Sequence, residues 1–193
     1  MSSEETAVAE AAPFPRPWPA LSLPEAQEIL CAPGARFEME TIEIGGIPTR
    51  TWKNAPANLA ALARTGRTHG DRLFAIYEDE RISYEGWFRA TARLARHFEA
   101  LEIEKGDRIA LAMRNLPEWP VVFFAAVSLG AICVPLNAWW IAQELAYGLS
   151  NSGAKILVCD GERLDRLRPV LDDLHTLAHI FVSRSEGNLP AQI

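Results

Sequence analysis

Two short stretches in the first half of the chain alternate between apolar or β-branched side chains and polar ones. They cover residues 41–44 and 47–51, on either side of Gly45-Gly46. A period of two predicts strands, and two glycines can adopt the positive φ angles of a tight turn, so we predict a β-hairpin here. A second hairpin is predicted for residues 73–84, around Glu78-Asp79-Glu80.

Helical patterns lie beside these hairpins. Ser22 is followed three residues later by Glu25, the spacing of a capping box, so a first helix is predicted to start there and to end near Gly34. Residues 56–63 are predicted to form a short helix that opens at its proline. Over residues 84–101 apolar side chains recur every three or four positions, which predicts a long amphipathic helix.

Beyond Gly106, short apolar runs alternate with helical stretches. A strand, helix and strand in regular succession predict a parallel sheet built from right-handed crossovers. The predicted fold class is therefore α/β, with a parallel sheet and flanking helices preceded by β-hairpins. The predicted strands are 109–113, 132–135, 156–159 and 180–182, and the helices are 117–129, 141–151 and 162–174.

The predicted helix 117–129 contains a run, residues 121–127, that is apolar on all sides. A helix of this kind is normally buried all round, and the sheet can cover only one of its faces. We therefore expect a second layer, provided either by residues 20–55 or by self-association of the chain.

Three segments are expected along the 193 residues. Residues 1–20 contain four prolines among small residues and are predicted to be a flexible leader. Residues 21–55 would form a helix and hairpin extension, and residues 56–193 an incomplete α/β subdomain.

Composition and charge exclude several classes of protein. The formal net charge of −6 argues against a nucleic-acid partner, and three cysteines without a C-x-x-C pair suggest neither disulfides nor a thiolate zinc site. The longest uncharged stretch, residues 119–143, has an unbroken apolar part shorter than the roughly 20 residues of a spanning helix, so no transmembrane segment is predicted. The first residues do not resemble a secretory signal, and we expect a cytoplasmic protein.

Few residues suggest chemistry on their own. The sequence has no glycine-rich phosphate loop of either familiar type. Asp160-Gly161 ends a predicted strand, where the carboxylate could hold a ribose, but a turn before a helix is the simpler interpretation. Asn115 and Glu118 are interpreted as the N-cap and the residue that reaches back to it. His175 and His179 have the spacing of a metal pair but no third ligand, so no metal site is predicted.

Trp139-Trp140 is the most unusual local feature. Two adjacent indoles could line a path for an acyl or aromatic substrate, form a partner surface, or pack over the edge of the sheet. Packing is the simplest of the three interpretations.

In their order and spacing, these pieces resemble the N-terminal part of AMP-forming acyl-CoA synthetases, in the adenylate-forming superfamily. The likeness covers about residues 55–183, and residues 137–140 are similar to the bacterial fatty-acid branch. The matching pieces are Arg-Ile-Ser-Tyr (81–84), Lys-Gly-Asp-Arg-Ile-Ala-Leu (105–111), Asn115 with Glu118, Gly130-Ala131, Val-Pro-Leu-Asn (134–137), Glu144-Leu145 with Tyr147 and Leu149, and Asn-Ser-Gly-Ala-Lys (151–155).

The resemblance implies a partial flavodoxin-like layer and a two-step ligation. A fatty acid would react with ATP, in the presence of Mg²⁺, to give acyl-adenylate, and CoA would then displace AMP to give a thioester. The family's Ser/Thr/Gly-rich phosphate loop and its catalytic lysine have no counterpart in residues 1–193, so no catalytic residue can be assigned. None of the cofactors is expected to bind this chain tightly, and the expected partner is the remainder of the parent enzyme.

Two hypotheses follow. The chain is either an inactive N-terminal fragment of a fatty acyl-CoA ligase or a standalone α/β module that binds a nucleotide, an acyl group or a protein without catalysis. The missing phosphate loop weakens the second hypothesis, and the ordered series of motifs favours the first. Ile141 stands where relatives often have a capping Thr or Ser, so the start of the helix that contains Glu144 is open.

Overall fold

The computed structural model describes residues 20–185 and divides the chain into two compact units, with the boundary between Ala55 and Pro56. Each unit has its own helices and strands. The first contains α1 (Leu23–Cys31), β1 (Met39–Ile44) and β2 (Ile47–Trp52). The second contains α2 (Leu59–Arg67), β3 (Leu73–Tyr77), β4 (Glu80–Ser83), α3 (Tyr84–Ala100), β5 (Arg108–Ala112), α4 (Glu118–Ser128), β6 (Ile132–Pro135), α5 (Ala142–Ser152), β7 (Ile156–Asp160), α6 (Gly161–Leu167) and β8 (His179–Ser183).

The first unit forms as its sequence predicts. The Ser22 hydroxyl accepts a hydrogen bond from the Glu25 N–H, and the Glu25 carboxylate accepts one from the Ser22 N–H at 2.8 Å, which completes the capping box. β1 and β2 pair antiparallel, with Ile44 opposite Ile47, around two glycines that both have positive φ. The capping box and the glycine turn are both confirmed.

Two helix boundaries differ from their predictions for reasons of local chemistry. α2 starts at Leu59 rather than at Pro56, because the Asn58 side chain accepts a hydrogen bond from the Ala61 N–H at 2.8 Å and caps the helix. The single helix predicted for 162–174 is instead α6 followed by a short 3-10 helix, Arg168–Asp173. Pro169 lacks the N–H that an α-helix would use at this position.

The main sheet has four parallel strands in the order β6-β5-β7-β8. Successive residues of β5 face opposite sides, so that Ile109 and Leu111 pack with α3 and α4 while Ala110 and Ala112 pack with α5 and α6. β5 and β7 are buried on both faces, which explains their continuous apolar sequences. The predicted α/β fold with a parallel sheet and flanking helices is confirmed.

The apolar helix α4 is covered by earlier helices of its own unit. α2 and α3 both pack against it, and Trp87 of α3 contacts Phe124 edge-to-face with ring centroids 5.1 Å apart. All large apolar side chains of α4 are buried or half-buried. The expectation that residues 20–55 or a second copy must supply this layer was wrong, because helices at 59–100 fold back over α4. Self-association stays a prediction, but the need to cover α4 no longer supports it.

Among the helices of residues 20–185, none is both long enough and apolar enough to cross a bilayer.

Candidate functional site

The carboxyl end of the sheet contains a topological switch point. From β5 the chain first adds β6 on one side and then returns to add β7 on the other side. In open α/β sheets ligands bind in the crevice outside the carboxyl ends of two such strands. A cleft of about 440 Å³ opens here, and it is lined by Tyr77, Arg114, Asn115, Leu116, Asp160, Gly161, Glu162, Arg163 and Arg184.

Asp160 holds this edge together. Its carboxylate accepts hydrogen bonds from the backbone N–H groups of Arg114 and Arg163, both at 3.0 Å. It also forms an ion pair with the Arg163 guanidinium at 3.0 Å. Asp160 thus caps α6 and ties the end of β5 to β7. α6 starts at the next residue, so the predicted turn before the helix is replaced by a direct N-cap.

Arg163 is 1% exposed and is the largest fully buried side chain in the described residues. Its Nε donates to the Ala138 carbonyl at 2.8 Å, and Arg166 donates to the carbonyls of Ala138 and Trp140. These two arginines fix the loop after β6. The Nη2 of Arg163 is buried and has no hydrogen-bond partner among residues 20–185.

The two tryptophans of that loop have different surroundings. Trp140 packs into the core beside Leu136, where the absent side chain of Gly148 leaves space for its ring. Trp139 is 66% exposed, and the Arg114 guanidinium lies 3.9 Å from its ring centroid. The packing interpretation is therefore correct for Trp140, whereas Trp139 presents an aromatic surface next to the cleft.

Asn115 does not cap α4, so that prediction was wrong. The N-cap position is occupied by Pro117, with no side-chain hydrogen bond, and the Glu118 carboxylate instead accepts from Arg184 at 2.9 Å. Arg184 forms a second ion pair with Glu80 and lies over the Tyr77 ring. Its hydrogen bond lowers the pKa of Glu80 below the usual range. α4 starts at Glu118 with Pro117 at its N-cap, so Asn115 lies two residues too early in the chain to cap it.

α5, the helix after the β6 loop, starts without a hydrogen bond from the side chain of its N-cap residue, Ile141. α5 begins at Ala142, and the Glu144 carboxylate accepts a hydrogen bond from the Ile141 N–H at 3.0 Å. Glu144 thus supplies one of the two hydrogen bonds of a capping box. Ile141 takes part through its backbone N–H, so its apolar side chain does not prevent this bond.

The amino end of the sheet carries charged residues with complete sets of partners. The Asp107 carboxylate accepts from the Glu104 N–H at 2.9 Å and from Lys155 at 2.8 Å, and these bonds lower the pKa of Asp107. Arg108 donates to the Ser152 and Gly153 carbonyls, both at 2.9 Å, and thereby caps the carboxyl end of α5.

The two histidines with metal-like spacing are exposed, His175 in a turn and His179 at the start of β8. Across the described part of the chain, no three His, Cys, Asp or Glu side chains lie close enough together to hold a metal ion. The carboxylates that face the cleft are paired with arginines, so they do not fit Mg²⁺.

The site residues that sequence reasoning missed are Arg114, Arg163 and Arg184. Arg163 could have been predicted from the sequence, because an arginine three residues after an N-cap aspartate such as Asp160 can reach back to its carboxylate. Arg184 could not be found in this way, since its partners Glu80 and Glu118 are distant in sequence.

Comparison with known proteins gives the family. The sequence model of the family described as AMP-binding enzyme matches residues 62–192, which is more than half of the chain. The chain belongs to this family.

By their names, the relatives are CoA ligases. The chain is similar to the long-chain-fatty-acid–CoA ligase FadD13 of Mycobacterium tuberculosis, with 38% identity over 104 residues, 52% of this chain and 21% of the relative. It is also similar to crotonobetaine/carnitine–CoA ligase of Salmonella typhimurium, with 35% identity over 118 residues, 58% of this chain and 23% of the relative. The matched part thus spans only about a fifth of these proteins.

A solved structure has a similar fold. The inhibitor-bound N-terminal domain of FACL13 from Mycobacterium tuberculosis aligns with a TM-score of 0.59 and 32% identity, over 66% of this chain and 34% of that one. The matched part of this chain is therefore similar in fold to the N-terminal domain of FACL13 and spans about a third of that solved chain.

Proposed function

We propose that this chain supplies the N-terminal α/β part of an enzyme that activates a fatty acid with ATP and transfers the acyl group to CoA. The observation that carries the proposal is the family match over residues 62–192, together with 38% identity to a long-chain-fatty-acid–CoA ligase. In the parent reaction the fatty carboxylate attacks ATP, which gives acyl-AMP and pyrophosphate. The CoA thiol then displaces AMP, which gives the thioester and leaves AMP as the second product.

The role of this chain in that enzyme is to build a stable sheet edge. Asp160 and Arg163 fix the ends of β5 and β7 and the loop after β6, so they position the surface on which the rest of the enzyme would pack. The described residues offer no ligand cluster for Mg²⁺, so we expect the metal to be held by the remainder of the parent enzyme. We also expect the reaction to be cytoplasmic.

We further propose that residues 1–193 alone do not form acyl-adenylate. Stabilising the charge that develops on ATP requires an array of donors around the phosphates, and the sequence holds no glycine-rich phosphate loop. Fatty-acid-dependent exchange between ATP and pyrophosphate, measured on the purified chain, is expected to stay at background. Exchange above background would refute this part of the proposal.

A segment exchange tests the main proposal. Residues 62–185 would replace the aligned segment of the mycobacterial ligase, and acyl-CoA formation from a long-chain fatty acid would be measured. We expect retained activity. A matched chimaera with Ala125→Asp, a charge at a fully buried position of α4, should be inactive and unfolded. A folded but inactive first chimaera would instead favour a standalone binding module.

A further inference from the structure

The β3–β4 hairpin is attached to the rest of its unit unevenly along its length. At its open end, Phe74 stacks on the buried Trp87 of α3, with ring centroids 4.6 Å apart. At its turn end, Ile76 is 60% exposed and residues 78–81 are all exposed. The open end is therefore anchored against α3, whereas the turn end has little apolar packing of its own.

A single side chain, Arg184, joins the turn end of the hairpin to the end of β8. It forms an ion pair with Glu80 at 2.8 Å, and its guanidinium lies 5.0 Å from the centroid of the Tyr77 ring. It also pairs with Glu118, the first residue of α4, at 2.9 Å. Within residues 20–185, no other side-chain hydrogen bond or ion pair links residues 76–81 to another element. The position of the turn end thus depends on one guanidinium.

The backbone of Arg184 is itself in an unfavourable conformation. β8 ends at Ser183, and Arg184 has φ +51°, in the left-handed region that non-glycine residues seldom occupy. Its carbonyl oxygen lies close to Gly161, where an added Cβ would be 3.1 Å away. Strained residues persist where the surrounding contacts over-determine them, and they cluster in switch segments. The two ion pairs and the close approach to Gly161 are contacts of this kind.

We propose that Arg184 is a latch that holds the β3–β4 hairpin against the carboxyl edge of the sheet, and that opening the latch frees the turn end while the sheet stays folded. Tyr77 and Arg184 both line the switch-point cleft, so an open latch also removes one wall of that cleft. Both ion pairs are partly exposed, and pairs of this kind are individually weak and are screened by salt. The latch can therefore open locally, without unfolding of the unit.

Hydrogen exchange of the full 193-residue chain, read residue by residue by NMR, tests the latch. The hydrogen-bonded amides of the hairpin are compared with those of β5 and β7. Arg184→Gln is expected to speed exchange in the hairpin about fivefold, as the loss of two partly exposed ion pairs does, and to leave the two strands unchanged. The matched control is Arg168→Gln, which breaks an exposed pair with Asp165 outside the hairpin and should change neither set of amides.

Two further variants separate the side chain of Arg184 from its strained backbone. Arg184→Gly removes the guanidinium and the left-handed penalty together, so it is expected to fold even if Arg184→Gln does not. Arg184→Lys keeps the charge but loses the fork that reaches two carboxylates at once. The latch predicts fast hairpin exchange in Arg184→Gly, as in Arg184→Gln, and an intermediate rate in Arg184→Lys. Slow exchange in Arg184→Gly would show that the side chain does not hold the hairpin.

Salt provides a readout that a purely packing role would not move. Raising the ionic strength from about 0.1 M to about 1 M shortens the screening length from about 10 Å to about 3 Å. Hairpin exchange in the unchanged chain should then rise toward that of Arg184→Gln, whereas exchange in the variant should not respond. Hairpin exchange that is the same with and without Arg184 would overturn the proposal. An equal rise in the hairpin and in β5 and β7 would also overturn it, because Arg184 would then stabilise the whole unit. The measurement is independent of ligase activity.

Discussion

The two ends of the parallel sheet use charged residues in different ways. At the amino end, Asp107 pairs with Lys155, and Arg108 donates to two carbonyls at the end of α5. At the carboxyl end, Asp160 and Arg163 are buried together, yet one nitrogen of Arg163 has no partner in the described chain. The amino end is fully satisfied by the chain itself, whereas the carboxyl end retains unused donors.

The charged pairs at both ends stabilise the sheet, and they differ in how deeply they are buried. At the amino end, the side chains of Asp107 and Arg108 each satisfy backbone groups of a turn or a helix terminus, which explains their presence in the isolated fold. Arg114 and Trp139 at the carboxyl end complete neither. The following substitutions test how much the charged residues at each end contribute to stability.

The largest effect is expected from the buried ion pair at the carboxyl end. Arg163→Met leaves the Asp160 carboxylate, 5% exposed, without its partner, which should lower the free energy of unfolding by about 4 kcal/mol. Lys155→Met removes the partner of Asp107 at the amino end, where the lysine is half exposed, and should cost about 0.5 kcal/mol. Urea denaturation measures both values. Equal losses would mean that the buried pair is no more important than the surface pair.

The next effect concerns the glycine that ends α5. Gly153 has φ +62°, and a Cβ there would lie 2.8 Å from the Arg108 guanidinium that caps the helix. Gly153→Ala should therefore cost about 3 kcal/mol, the sum of a left-handed backbone penalty and a displaced cap. Gly70→Ala is the matched control, since Gly70 has φ +59° and open space around it, and it should cost about 1 kcal/mol. If the two substitutions cost the same, Arg108 does not cap α5 firmly.

A smaller effect is expected from acid. The Glu104 N–H and Lys155 lower the pKa of Asp107, so the folded state keeps this carboxylate charged at a pH where the unfolded chain takes up a proton. The stabilisation is complete above the ordinary aspartate pKa of about 4 and is lost as the pH falls through the lower folded value. Asp107→Asn should reduce this loss of stability between about pH 6 and about pH 3. The check is the urea midpoint at each pH, with the exposed Glu99→Gln as control; a slope unchanged by Asp107→Asn would contradict the assignment.

The fold was largely predictable from the sequence because its signals are local. The short apolar runs of β5 and β7, the apolar spacing of α3 and the glycine turn at Gly45-Gly46 all act within a few residues. The start of α4 was less predictable, because it begins two residues later than a cap at Asn115 requires. The partner of Glu118 was not predictable either, since only the tertiary structure brings Arg184 within 2.9 Å of its carboxylate.

The candidate site was the least predictable part, for a related reason. Its cleft is assembled from segments that follow β5, β7 and β8 and from the β3–β4 hairpin, so no single stretch of sequence contains it. Trp139 and Trp140 illustrate the limit, because adjacent residues with the same side chain have opposite surroundings. Knowing the strand order locates the switch point, but knowing which donors lack acceptors requires side-chain positions.

The smallest effect, and a discriminating one, is expected at Asn115. Its side chain makes no capping bond to α4, so Asn115→Ala should change the free energy of unfolding by less than about 0.5 kcal/mol. Asn58→Ala is the matched substitution at a real N-cap, where the side chain accepts from the Ala61 N–H, and it should cost about 1 kcal/mol. Thermal and urea unfolding of both variants give the comparison. A stability loss at Asn115 as large as that at Asn58 would mean that the Asn115 side chain stabilises the start of α4 after all.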